Sequence, residues 1–127
     1  MKLDHIANRV APQHFETFIE MLKVRLGFIE LRRLDGFVWL RQPGTNVDLQ
    51  FGHSSIANRD SDKNLSQVAF LSDTPLAELE ELAVWAREHG MNAIVGSYSD
   101  KEFYLDLPEA FVDFVIEAMT PDCADYE

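Results

Sequence analysis

Cysteine is nearly absent from this chain. The single one, Cys123, lies in the polar stretch TPDCADYE, so no internal disulfide can form. No apolar run approaches the ~18 residues needed to cross a bilayer. The opening MKLDHIANRV places charge where a secretory signal would need an apolar core. We therefore expect a cytoplasmic chain with no membrane partner. Positive charge is scarce as well: 11 Lys and Arg stand against 22 Asp and Glu, for a net charge of −11. Such a surface repels phosphate backbones, so nucleic acid is not expected as a partner, while cationic ligands and metal ions are. Ser97, Ser99 and Cys123 have no base paired with them in the pattern, which argues against a nucleophile.

What is present is enough for one domain. The chain has 127 residues, 46% of them apolar, as in ordinary globular proteins. It also repeats itself. PGTNVDLQF (43–51) and PEAFVDFVI (108–116) share a Pro, a Val-Asp pair and alternating apolar residues. LDHIAN (3–8) matches LSQVAF (65–70), and FVWLRQ (37–42) matches EFYLDL (102–107), at nearly the same separation. The chain reads as two copies of one unit, about 1–56 and 64–119, with a polar linker 53–64 and an acidic tail 120–127.

Each copy has the same internal order. A short strand comes first. An amphipathic helix follows, with Phe15, Phe18, Ile19, Leu22 and Leu26 at helical spacing in the first copy and LAELEELAVWAREH in the second. Gly27 and Gly90 are the stop signals, and Pro75 suits a first helical turn. Three strands complete each copy: FIELRR, FVWLRQ and VDLQFG, then NAIVG, EFYLDL and FVDFVIEA, with an Asp35-Gly36 hairpin turn in the first. The unit is β-α-β-β-β, and the fold class is α+β: two tandem βαβββ modules forming a curved mixed sheet around a cleft.

Side chains alternate along a strand. If the helices cover Val47, Leu49 and Phe51, then Asp48 and Gln50 face away from them. By the same parity Val112, Phe114 and Ile116 face the helices, and Asp113 and Val115 face away. Ile6 and Val68 are expected in the core, with His5 and Gln67 opposite. The helix-free surface then carries His5, Asp48, Gln50, Gln67 and Asp113, with Phe37, Trp39, Arg41, Glu102, Tyr104, Asp106 and Glu117 around them. Aromatic rings among carboxylates on an open sheet face suit a ligand cleft.

This pattern resembles the vicinal oxygen chelate superfamily, which includes glyoxalase I, bleomycin resistance proteins and extradiol dioxygenases. The resemblance rests on the LDHIA opening, the helix ending in LGF and the V-D-x-x-[FI] strand that closes each unit, and it covers about residues 1–119. It implies one divalent metal ion (Zn, Ni, Mn, Co or Fe), bound by residues from the first and last strands of each unit. Those positions fall on His5, Asp48, Gln67 and Asp113. The glyoxalase I pattern is His or Gln, Glu, His, Glu; this chain has shorter carboxylates and a Gln in place of the second His. The resemblance also implies a homodimer whose clefts combine the first unit of one chain with the second of the other.

Two functions follow from it. The first is a glyoxalase-like, metal-dependent lyase or isomerase that stabilises an enediolate, with Asp113 as catalytic base. The second is a metal-free protein resembling bleomycin resistance proteins, which sequesters a cationic aromatic small molecule. Asp48, Glu102, Asp106 and Asp113 would supply charge, and Phe37, Trp39 and Tyr104 would supply stacking. Arg41 either clamps a substrate carboxylate or pairs with a neighbouring acid such as Asp48 or Asp106. His14, His53 and His89 read as surface or helix-end residues, Trp85 as core, and AELEELA as a solvated helix face.

Overall fold

A computed structural model describes residues 2–54 and 63–124. The middle of the expected linker and residues 125–127 of the expected tail lie outside the described residues.

The first module runs β1 (His5–Val10), α1 (Phe15–Leu26), β2 (Ile29–Leu34), β3 (Phe37–Arg41) and β4 (Asp48–His53). The spacing of Phe15, Phe18, Ile19 and Leu22 puts them on one side of α1, and all four are buried together with Met21. The helix ends where Gly27 takes a left-handed backbone (φ 70°) and its N–H bonds the Leu22 carbonyl. Gly36, at φ 80°, turns β2 into β3 and sets Leu34 opposite Phe37. The second module repeats the order as β5 (Gln67–Leu71), α2 (Pro75–Glu88), β6 (Ile94–Ser97), β7 (Glu102–Asp106) and β8 (Val115–Met119).

Each module has a four-stranded mixed sheet, with orders β1-β4-β3-β2 and β5-β8-β7-β6. The first and last strands of each module are parallel neighbours and the remaining pairs are antiparallel. The two modules share a core of phenylalanines. Phe18 of α1 meets Phe51 of β4 and Phe111 edge-on, each at 5.0 Å between ring centres, and lies 6.1 Å from Phe114. A backbone seam joins the modules: Val10 bridges Phe111, Ala11 N–H donates to Ala110 O (2.7 Å) and Val112 N–H donates to Arg9 O (3.2 Å).

Two expectations are corrected. The last strand was expected to begin near Phe111, but β8 starts at Val115 and residues 112–114 bend out of the ladder. Residues 42–47 connect β3 to β4, whereas the longer stretch 107–114 connects β7 to β8. A slip of two residues preserves side-chain parity, so alternation alone could not detect it. Ile6 is not core: it is 48% exposed. It lines a hollow of about 300 Å³ between the modules, with Leu3, Phe28, Val47, Gln67 and Phe70.

Candidate functional site

Strand register defines what stands beside what on the helix-free faces. In the first module one row crosses all four strands: Arg32 (β2), Trp39 (β3), Gln50 (β4) and Ala7 (β1). In the second module the corresponding row is Gly96 (β6), Tyr104 (β7), Glu117 (β8) and Ala69 (β5). A neighbouring pair in the first module is His5 with Asp48; its counterpart in the second is Gln67 with Val115. The two halves therefore correspond as Asp48 to Val115 and Gln50 to Glu117, not as Asp48 to Asp113.

Asp48 is almost fully buried, and both its oxygens are taken by Arg41: Nε donates to Oδ1 at 2.7 Å and Nη2 to Oδ2 at 3.0 Å. Those two hydrogen bonds hold its carboxyl below the usual value of 3.8, against the opposing effect of burial. His5 is exposed and pairs with Asp4 at 2.9 Å. Asp113 is engaged elsewhere. Its Oδ1 accepts the Arg9 backbone N–H (3.1 Å), and its Oδ2 accepts Arg9 Nε (3.2 Å). Gln67 Nε2 donates to the Asn64 carbonyl at 3.0 Å and lies 3.4 Å from the Tyr98 hydroxyl.

These residues do not fit a divalent ion. Val115 offers no donor where the second module would need one, and Asp48 and Asp113 already spend both oxygens on arginines. Among the described residues no group of three or more His, Cys, Asp or Glu side chains is placed to hold a metal.

The second module's face offers something different. Glu117 is half-buried on β8, opposite Tyr104. Burial raises its carboxyl above the usual 4.5, and the nearby Glu102 raises it further. Glu102 accepts a hydrogen bond from Ser99 Oγ at 3.1 Å. Tyr104 and Tyr98 lie 5.0 Å apart, and burial raises the Tyr98 hydroxyl, which donates to Asn64 O at 2.6 Å. Asp106 is balanced by Lys63, a buried lysine whose Nζ lies 2.8 Å from Oδ1 and donates to Phe111 O at 2.9 Å. Lys63 falls in the stretch expected as linker, and nothing in its local pattern marks it as buried. Parity alone sets Glu117 on this face; its place opposite Tyr104 comes from the two-residue slip of β8.

Of the remaining predicted residues, Phe37 and Trp39 lie side by side at 6.2 Å, with the Arg32 guanidinium 5.4 Å from the centre of the Trp39 ring. The predicted set thus divides. His5, Asp48, Arg41, Gln50, Trp39 and Phe37 share the first module's face; Gln67, Glu102, Tyr104 and Asp106 share the second's; Asp113 lies at the seam between them.

Comparison with solved structures matches this architecture. A protein of Bacillus cereus described as a possible glyoxalase aligns over 94% of this chain and 98% of its own, with a TM-score of 0.61 and 18% identity. The chain has the vicinal oxygen chelate fold. A glyoxalase/bleomycin resistance protein/dioxygenase from Nocardioides aligns over 95% of this chain and 85% of its own (TM-score 0.56, 16% identity). The fosfomycin resistance protein FosX of Mesorhizobium loti aligns over 94% and 91% (TM-score 0.58, 12% identity). No family model matches the chain, and no curated protein matches it in sequence. Among the described residues no helix is long and apolar enough to cross a membrane.

Proposed function

We propose that this vicinal oxygen chelate protein is a metal-independent small-molecule binding protein, and that its ligand carries a positive charge on a planar or aromatic group. The observation that carries this is the pairing of Glu117 with Tyr104 on the helix-free face of the second module. Glu117 stands half-buried beside a second acid, Glu102, and among the described residues no cation is paired with it. Ionising such a carboxylate is costly until a cation arrives, and the rings of Tyr104 and Tyr98 provide a surface on which a cation is also favoured, by about 0.5–2 kcal/mol.

The same reading includes a homodimer. The first module's face carries Arg9, Arg32 and Arg41, and the second's carries Glu102 and Glu117. A two-fold arrangement sets the first face of one protomer against the second face of its partner; with Arg9 and Arg41 already paired with Asp113 and Asp48, the cation for Glu117 is left to the ligand. One observation favours turnover as a second reading. A carboxylate held above its ordinary value suits a general base, so Glu117 would abstract a proton beside a carbonyl, the part Asp113 was expected to play.

The test is direct. Protein purified without chelators is assayed for bound metal and titrated with proflavine, a planar monocation, followed by fluorescence. The reading expects no stoichiometric metal and saturable binding of proflavine that weakens in Glu117→Gln. Stoichiometric metal that disappears in His5→Ala overturns it in favour of the metal-dependent enzyme.

A further inference from the structure

The duplication provides an internal comparison between two matching rows. In the first module, the β2 residue beside Trp39 is Arg32, and its guanidinium sits 5.4 Å from the ring centre. The aromatic's other neighbour, on β4, is the neutral Gln50. This row supplies its own planar cation to its own aromatic ring.

In the second module two of the four positions have changed in the complementary direction. The β6 residue beside Tyr104 is Gly96, which has no side chain at all. The β8 residue on the other side is Glu117 rather than a neutral amide. The cation has been deleted and an anion installed, while the aromatic ring and the flanking alanine remain.

Gly96 matters for a further reason. The end of the Tyr104 side chain lies directly over it. A Cβ at position 96 would fall onto Tyr104 Cζ, Oη and Cε1. Tyr104 can lean toward β6 only because position 96 is glycine, and Glu117 on its other side remains half-exposed.

We propose that the row Gly96–Tyr104–Glu117 binds a guanidinium or amidinium group of a small molecule on the β8 side of Tyr104, where Glu117 stands at the position that the neutral Gln50 holds in the first module. Glu117 accepts two parallel N–H donors from the planar group, Tyr104 provides the aromatic contact, and Gly96 lets the Tyr104 ring lie over β6. The inference rests on the proposed cation-binding function and narrows it to one chemical class.

The experiment uses benzamidine, a planar amidinium at neutral pH, titrated calorimetrically into the full-length protein, with proflavine titrated in parallel. Wild type is expected to bind one benzamidinium per chain. Glu117→Gln should weaken it at least about tenfold, the scale of a hydrogen-bonded charge pair. Glu102→Gln, two register positions away on β7, should weaken it less than about threefold on the same scale. Gly96→Arg drives the Tyr104 ring off β6 and sets a guanidinium of the chain's own in the row, so it should abolish benzamidinium binding while circular dichroism remains native. Proflavine binding without benzamidinium binding overturns the guanidinium assignment and leaves the broader reading standing; so does a folded Gly96→Arg variant that binds benzamidinium as wild type does. If Gly96→Arg does not fold, equal effects of Glu117→Gln and Glu102→Gln overturn the assignment. If wild type binds neither probe, both proposals fail.

Discussion

Asp113 and Arg9 join the two modules. The carboxylate accepts both the backbone N–H and the side-chain Nε of Arg9, at 3.1 and 3.2 Å, beside the seam where Val10 bridges Phe111. An acid that looked like half of a chelate is therefore a clasp between halves. Its work is to hold the module carrying Glu117 in fixed orientation to the module carrying Arg41.

Asp113→Ala should consequently cost stability rather than binding. It removes three hydrogen bonds to one carboxylate, two from Arg9 and a long one from Asn8 Nδ2, for a loss of roughly 1–3 kcal/mol. Urea denaturation checks the loss, and proflavine titration of the folded variant should stay within about threefold of wild type, below the effect of losing a charged contact. Full stability with binding abolished would return Asp113 to the site.

Arg41 is expected to act on pH-dependent stability through Asp48. Its two hydrogen bonds hold the Asp48 carboxyl below 3.8. A depressed carboxyl contributes stability above its unfolded value and loses it as pH falls through the folded one. Arg41→Leu should lower the urea midpoint at pH 7, and the gap from wild type should narrow as pH falls below 3.8. A gap that persists in acid would mean that Arg41 acts by packing alone.

Much of the fold was legible because its signals are local and agree with one another. Phe15, Phe18, Ile19 and Leu22 mark the helix, Gly27 and Gly36 mark its end and the hairpin, and the duplicated phrases mark the two halves. The site was less legible for a definite reason. Alternation has a period of two, so sliding β8 by two residues changes no face and no burial pattern, yet it exchanges Asp113 for Val115 and brings Glu117 opposite Tyr104. Lys63 beneath Asp106 and the Arg9 clasp are long-range contacts that no spacing rule encodes.

The shared core gives a prediction about cooperativity. Phe18 is fully buried and touches Phe51 of the first module and Phe111 of the second. Phe18→Ala should cost about 3–5 kcal/mol. Because the cavity opens between the modules, calorimetry should still show a single transition at a lower temperature. Two resolved transitions would mean the halves unfold separately.

Glu30 should contribute to acid unfolding. It accepts from Lys23 Nζ (2.7 Å) and from Arg33 Nη2 (2.8 Å), and these bonds, the Arg33 ones first, lower its carboxyl from 4.5 to about 2. The sign is that of Asp48: stability is complete above pH 4.5 and lost as pH falls toward about 2. Glu30→Gln should therefore be less stable than wild type at pH 7 and indistinguishable from it near pH 2, as read from thermal melts across that range.

Glu117 carries the opposite sign. Burial and Glu102 raise its carboxyl above 4.5 in the folded state. Below pH 4.5 the group is protonated in both states and imposes no penalty. As pH rises through the raised value, the folded state must ionise a half-buried acid beside another acid, and stability falls. Glu117→Gln should then melt higher than wild type at pH 7 and level with it near pH 4. A bound cation reverses the order, because it repays the cost of ionisation only where the acid is present: saturating benzamidine should raise the wild-type melting temperature at pH 7 and leave that of Glu117→Gln unchanged. A variant that melts below wild type at pH 7 without ligand would show that Glu117 is already balanced within the chain, and the cation site would lose its foundation.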